Sequence, residues 1–290
     1  MDGTTDIAPK EQNLGIGGLS LHFATWGEHT TPERAVLLIH GLTSSSRAFA
    51  QIGPALAARG LYAIAPDLRG RGLSDKPRYG YGIPVHAADL LTLCDALGLE
   101  SCAVAGHSLG ALIGLFLAAF SPQRVSKLVL LDAGGKVPDD TLQAIAVSLS
   151  RLGRVYPSLD DYLATMRQNP VHEWNSFWEA YYRYDADVHP DGTVASRVPR
   201  SAIDQENAAT FSTRTEALSA FVRAPTLIVR ATVGTLAPDR GFILPADEAE
   251  RLQAAIPGSQ LVAIPGANHY TLADSPAATE AVAAFLSGER

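Results

Sequence analysis

Short, wholly apolar runs recur along this chain, and between them apolar residues return every three or four positions. The runs are AVLLIHG (35–41), LYAIAPDL (61–68), SCAVAGHS (101–108), VSKLVLLDA (125–133), PTLIVRA (225–231) and QLVAIPG (260–266). They do not alternate with polar residues, which is how strands read when helices cover both faces of a sheet. Helical periodicity falls near 47–59, 84–97, 109–120, 245–256 and 276–287. Strand and helix therefore alternate, and the pattern predicts the α/β class with a mainly parallel central sheet flanked by helices. Two segments near 13–17 and 19–26 are expected to form an antiparallel hairpin at one edge.

One interval breaks the alternation. From Lys136 to about Ser212 no strand is expected, but TLQAIAVSLSRL, LDDYLATM and EWNSFWEAYYRY have helical spacing. A structureless loop of that length does not suit a compact domain, so residues 136–212 read as an inserted helical subdomain. Residues 1–135 and 213–290 then make up the core. With 290 residues, 47% of them hydrophobic, the chain can bury one full core.

Charge and composition narrow the partners. A formal net charge of -7 and the lack of any Lys/Arg run argue against nucleic acid. The longest apolar run, ALIGLFLAAF (111–120), is half of the roughly 20 residues that a membrane span requires, so no membrane association is expected. The amino terminus is acidic and lacks the features of a secretion signal. Cys94 and Cys102 match neither a metal-binding nor a disulfide pattern and are read as reduced core residues of a cytoplasmic protein. A monomer or homodimer acting on a small molecule, with no cofactor and no metal, is the expectation.

The chemistry centres on AVAGHSLGAL. Gly106-His107-Ser108-Leu109-Gly110 sets a serine between two glycines, after an apolar strand and before a helix. Such a strand-to-helix turn is too tight for side chains two positions either side of the serine, and the serine stands exposed at its apex as a nucleophile. A serine hydroxyl needs a base. His269, in PGANHYTLAD, follows the last strand and precedes the last helix, so it belongs at the same sheet edge as Ser108. His107 is expected to pack or bond locally, and His172 and His189 to be exposed or to meet substrate; His22, His29 and His86 sit in no motif. An oxyanion formed on attack needs donors fixed beforehand. The backbone N–H groups of Leu109, opening a helix, and of Leu42, after His40-Gly41, are the candidates. Ser44, Ser45 and Ser46 offer hydroxyls nearby, and their expected role is to cap the helix near Arg47.

With these motifs in view, the chain resembles the α/β-hydrolase fold family in its serine-hydrolase branch. The resemblance runs from HG at 40–41 through DLRGRGLSD at 67–75, similar to the family's D-x-R-G-x-G-x-S signature, and GHSLG at 106–110 to GANH at 266–269. It implies acyl transfer to Ser108, hydrolysis by water, a helical cap over the pocket, and structural roles for Asp67 and Arg69. The chain departs from the family in one respect. Most relatives carry the acid of the catalytic triad just past the strand matching PTLIVRA, where this chain has Thr232, Val233, Gly234 and Thr235. The next acids are Asp239 and Asp247, and Asp247 is already accounted for in the first turn of a helix. Some relatives, including certain haloalkane dehalogenases and hydrolases of the acetamidomethylene-succinate type, carry the acid at the end of the strand before the cap. Asp132 ends that strand here and is the first candidate, with Asp239 the alternative.

Eight of the 21 aromatic residues lie between Tyr156 and Tyr184. Most should pack, and Trp174, Trp178 and Tyr181 are the candidates for lining the pocket. Arg183, Arg197 and Arg200 are placed to meet a substrate carboxylate or simply to be solvated. The expected activity is cleavage of a small to medium carboxylic ester or lactone. Amide or carbon–carbon cleavage on the same residues is an alternative, as is a small-molecule receptor that keeps the pocket.

Overall fold

The computed structural model describes residues 8–138, 141, 145, 149–212 and 215–289. Its centre is an eight-stranded sheet whose strands begin, in spatial order, at Lys10, Leu19, Tyr62, Ala35, Cys102, Val125, Thr226 and Gln260. Strands β1 (Lys10–Ile16) and β2 (Leu19–Trp26) form the expected antiparallel edge hairpin. The next strands, β3 (Ala35–Ile39), β4 (Tyr62–Pro66), β5 (Cys102–His107), β6 (Val125–Leu131), β9 (Thr226–Ala231) and β10 (Gln260–Ile264), are mutually parallel. β2 joins them antiparallel to β4. This is the α/β-hydrolase architecture.

The wholly apolar strands are explained by two cores. In β3, Ala35, Leu37 and Ile39 face one core, and Val36 and Leu38 face the other. Helices α2 (Ile83–Ala96) and α3 (Leu109–Phe120) cover the first face, and α1 (Ile52–Ala58) and α8 (Pro276–Ser287) the second. Helix α7 (Ala246–Ala255) leads into β10. The expected helix over 47–59 is broken into a 3₁₀ turn, Ser46–Phe49, and α1. Gly53 and Pro54 sit in the middle of that stretch; Pro54 lacks an N–H, and it is tolerated only where a new helix begins. Ser45 caps the 3₁₀ turn by accepting from the Arg47 N–H at 3.3 Å.

The segment between β6 and β9 contains α4 (Leu159–Arg167), α5 (Ser176–Asp185) and α6 (Arg200–Ser212). Half of the helix expected over 141–152 lies outside the described residues. Contrary to the expectation of no strand here, β7 (Ala186–Val188) and β8 (Val194–Ser196) pair antiparallel. Three-residue strands are too short to show a period in sequence. This insertion has a core of its own, in which Tyr156, Tyr162, Leu163, Met166, Trp178, Tyr182 and Val194 are buried. A second cluster, Leu149, Leu152, Val198 and Ile203, packs against Leu42 of the main body. Cys94 and Cys102 are free and buried, as expected. Among the described residues no helix is long and apolar enough to cross a membrane.

Helix α3 lies so close to β3 that a Cβ on Gly110 would sit 1.9 Å from the Ile39 carbonyl oxygen. Gly110→Ala is therefore expected to destabilise the protein by at least about 3 kcal/mol, the upper end of ordinary overpacking. Gly98 has a positive φ of 71° but open space around it, so Gly98→Ala should cost only about 1 kcal/mol, the left-handed backbone penalty. Denaturant midpoints of the two variants measure the contrast.

Candidate active site

Among the described residues only two that are not glycine have positive φ: Ser108 at 57° and Asp132 at 52°. They stand just past the ends of the neighbouring parallel strands β5 and β6. Each is tied to the next strand over, the Ser108 N–H donating to Leu131 O at 3.1 Å and the Asp132 N–H to Val229 O at 2.8 Å. Left-handed backbone on an L-residue costs about 1–2 kcal/mol, and such strain collects at functional sites. The glycines around Ser108 answer to sterics as expected. A Cβ on Gly106 would lie 2.1 Å from Gly110 O, and one on Gly41 would lie 3.1 Å from the Ser108 Cβ. Ser108 is the N-terminal residue before α3 but does not cap it with its side chain, so its hydroxyl is not spent on the helix.

Asp132 is buried and its carboxylate is used on both oxygens. Oδ1 accepts from the Ala231 N–H at the end of β9, and Oδ2 lies 2.9 Å from His269 Nδ1. Against a carboxylate the ring nitrogen donates, which leaves His269 Nε2 as the proton acceptor. His269 is itself buried. It is drawn to β5 by His107, whose Nε2–H donates to the His269 carbonyl at 2.9 Å, with the two ring centroids 4.5 Å apart. Burial first, and then the neighbouring His269, lower the His107 pKa to about 3, so His107 stays neutral. Asp239 lies on an exposed turn, and Asp247 pairs with Arg251 in α7. Of the two acids considered, Asp132 is the one paired with the histidine.

After β3 the chain turns at His40-Gly41. The buried His40 ring donates through Nδ1 to Gly41 O at 2.7 Å and accepts the Leu68 N–H on Nε2 at 3.0 Å. Those two bonds specify the neutral ring, and burial lowers its pKa to about 4. Leu42 follows this turn, and Leu109 opens α3, so both candidate amides flank the Ser108 region. Asp67 and Arg69 have the structural roles expected of the signature. Asp67 accepts from the Ser46 and Leu73 N–H groups and from the Tyr184 hydroxyl. Arg69 grips Asp89 of α2 through two 2.6 Å bonds.

The insertion's aromatic residues divide. The Tyr181 hydroxyl donates to Ser44 Oγ at 3.0 Å, beside Leu42. Trp178 is buried inside the insertion, stacked on His172 at 4.1 Å, and Trp174 stacks on Tyr182. Trp178 therefore belongs to the insertion's own packing. His172, expected to be exposed or in contact with substrate, is buried in that stack because its ring completes the aromatic core. Arg183 pairs with Glu179, Arg197 with Asp187 and Arg200 with Asp204, so all three are engaged at the surface. Two buried pairings had no local signal in the sequence. His22 lies 3.0 Å from Asp67, and Glu206 of α6 lies within reach of both His86 (2.5 Å) and Arg71 (3.2 Å).

The sequence profile described as alpha/beta hydrolase fold matches residues 34–276. The chain belongs to that family. It is 28% identical over 297 residues to the 2-(acetamidomethylene)succinate hydrolase of Mesorhizobium japonicum, covering 99% of each chain. An uncharacterized protein of Mycobacterium tuberculosis is 30% identical over 259 residues, 84% of this chain and 72% of that one. The crystal structure of E-2-(acetamidomethylene)succinate hydrolase superposes with a TM-score of 0.83 at 23% identity, covering 96% of this chain and 99% of the other.

Two outcomes follow. In Asp132→Asn the amide can still accept from Ala231 through its oxygen, but its NH2 then faces His269 and selects the wrong imidazole tautomer. If His269 acts as a catalytic base oriented by Asp132, hydrolase turnover should drop about ten-thousandfold, while Asp239→Asn retains wild-type rates. The second concerns pH. Folded His40 binds its proton more weakly than unfolded His40, so as pH falls from 6.5 toward about 4 the unfolded chain takes up a proton that the folded chain refuses. Stability should fall across that window by up to about 1.4 kcal/mol per pH unit for this one group. Denaturant midpoints measured against pH should show a shallower slope in His40→Asn.

Proposed function

We propose that this chain is a serine hydrolase that cleaves a small to medium carboxylic ester or lactone through an acyl-serine intermediate. The observation that carries the reading is the buried Asp132–His269 pair at the sheet edge that also holds Ser108 at a strained strand end. In the proposed cycle Ser108 Oγ attacks the carbonyl carbon as His269 Nε2 takes its proton. Asp132 keeps the imidazole oriented and balances the positive charge it acquires. The N–H groups of Leu42 and Leu109 donate to the oxyanion, where fixed donors act without reorganising. His269 returns the proton to the leaving alcohol oxygen. Water, deprotonated by the same histidine, then attacks the acyl carbon; the bond to Ser108 Oγ breaks, His269 returns the proton to that oxygen, and the acid leaves.

Residues 136–212 serve in this reading as a cap, with Tyr181 and Trp174 as pocket residues and the aliphatic cluster around Leu42 as an apolar wall. No cofactor or metal enters any step. A cytoplasmic setting is part of the proposal, supported by the free, buried Cys94 and Cys102. A second reading, amide cleavage by the same residues, is favoured by the full-length likeness to the Mesorhizobium japonicum hydrolase, whose name specifies an acetamido compound.

A fluorophosphonate probe is expected to label one serine per chain, Ser108, and p-nitrophenyl acetate to turn over, both being lost in Ser108→Ala. Binding of small acids or esters with neither labelling nor turnover would make the protein a receptor. Faster cleavage of p-nitroacetanilide than of the matching ester would favour the amide reading.

A further inference from the structure

Three consecutive carbonyls after β3 are each held by a side chain. Gly41 O accepts from His40 Nδ1 at 2.7 Å, Leu42 O from Arg71 Nε at 2.9 Å, and Thr43 O from Arg151 Nη2 at 3.2 Å. In a trans peptide the C=O and N–H point opposite ways. Holding the Gly41 carbonyl therefore sets the direction of the Leu42 N–H, and holding the Leu42 carbonyl fixes the next peptide plane, so the Leu42 Cα is pinned between two held planes. Two of the three donors depend on the insertion. Arg151 belongs to it, and Arg71 reaches Glu206 of α6 at 3.2 Å with both side chains at 0% exposure.

Arg71 stands at one of the unspecified positions of the D-x-R-G-x-G-x-S signature, so the motif does not account for it. Its three guanidinium nitrogens are all engaged, Nη1 with Arg69 O, Nη2 with Glu206 and Nε with Leu42 O. Every nitrogen has a protein partner and the side chain is fully buried. Stability is a poor explanation as well. A buried ion pair gives up the hydration of both charges, and apolar replacements of such pairs are often neutral or stabilising. What the arrangement secures is geometry, because a planar, permanently charged fork holds three acceptors in fixed directions.

We infer that Arg71 is a positioning residue for the proposed oxyanion hole: its Nε–H holds the peptide plane after Leu42, so that the Leu42 Cα, and with it the N–H that His40 directs through the Gly41 carbonyl, keeps its place, and Glu206 makes that hold depend on the seated insertion. The inference rests on the serine-hydrolase reading of Ser108. His86, which pairs with the same Glu206 oxygen at 2.5 Å, fixes the carboxylate from the main-body side.

The test begins with the wild-type protein. If it neither reacts with a fluorophosphonate nor turns over p-nitrophenyl acetate, the serine-hydrolase reading falls and this inference with it. Given activity, Arg71→Lys keeps a positive charge beside Glu206 but loses the fork. Its kcat for p-nitrophenyl acetate should fall about 10- to 100-fold with KM within about twofold, because a displaced donor weakens the transition state and not the ground state. Affinity for phenylboronic acid, which mimics the tetrahedral adduct on serine, should fall by a similar factor, while affinity for benzoate stays at the wild-type level. A lowered melting temperature with unchanged kcat and unchanged boronate affinity overturns the inference and leaves Arg71 a structural residue. Should Arg71→Lys not fold, Glu206→Gln carries the same test, since the amide keeps the volume and can still meet His86 while loosening Arg71. A kcat fall of about 3- to 10-fold at constant KM supports the inference, and wild-type kinetics overturn it.

Discussion

Everything at the candidate site depends on how Ser108 and Asp132 leave the ends of adjacent parallel strands, both at positive φ. A strand sends successive side chains to opposite faces, so neither Ser108 nor Asp132 could stand up from the sheet edge while its backbone remained extended. Both instead enter the left-handed region, at a cost of about 1–2 kcal/mol each. The sheet supplies what opposes that cost. The Ser108 N–H is held by β6, the Asp132 N–H by β9, and the Asp132 carboxylate takes one more N–H from Ala231. Each strained residue is thus bonded to the strand beyond it, and the strain lasts only while β5, β6 and β9 stay in register.

The same bonding explains how the carboxylate paired with His269 can come from the end of β6 and not from the loop after β9. The loop after β9 is occupied with its own closure. Thr232 Oγ1 donates to Ile264 O and accepts from the Gly266 N–H, Gly234 N–H donates to Pro238 O, and a Cβ on Gly234 would lie 1.9 Å from Arg240 O. A loop folded this tightly ties β9 to β10 and carries no carboxylate toward the histidine. Asp132 bridges the gap from the other side, with one oxygen on β9 and the other on His269, while His107 holds the His269 backbone close. One buried carboxylate therefore ends a strand pairing and orients an imidazole at the same time.

The strands were legible because both sheet faces are covered, which leaves apolar runs that no loop resembles. Ser108 was legible because its turn demands glycine on both sides, and Asp132 because a charge interrupts an otherwise apolar strand end. What escaped has physical reasons too. The 3₁₀ break before α1 was readable from Gly53-Pro54, but the apolar spacing on either side masked it. The β7–β8 hairpin is too short to show alternation. Glu206 lies 135 residues from Arg71 and 120 from His86, and α6 resembles an ordinary polar helix. Partners brought together only by the insertion's docking leave no mark in any local window.

That docking has consequences for residues 41–46, which have little structure of their own. The Gly41 carbonyl is held by His40, the Leu42 carbonyl by Arg71, the Thr43 carbonyl by Arg151, the Ser44 hydroxyl by Tyr181 and the Ser46 N–H by Asp67, which Tyr184 also reaches. Arg151, Tyr181 and Tyr184 come from the insertion, and Arg71 answers to it through Glu206. The seam is directional and polar, so each bond constrains an angle as well as a distance. The apolar contact of Leu42 with Leu149, Leu152, Val198 and Ile203 adds burial without fixing orientation. The loop that flanks Ser108 is thus shaped by the segment between β6 and β9 as much as by the sheet.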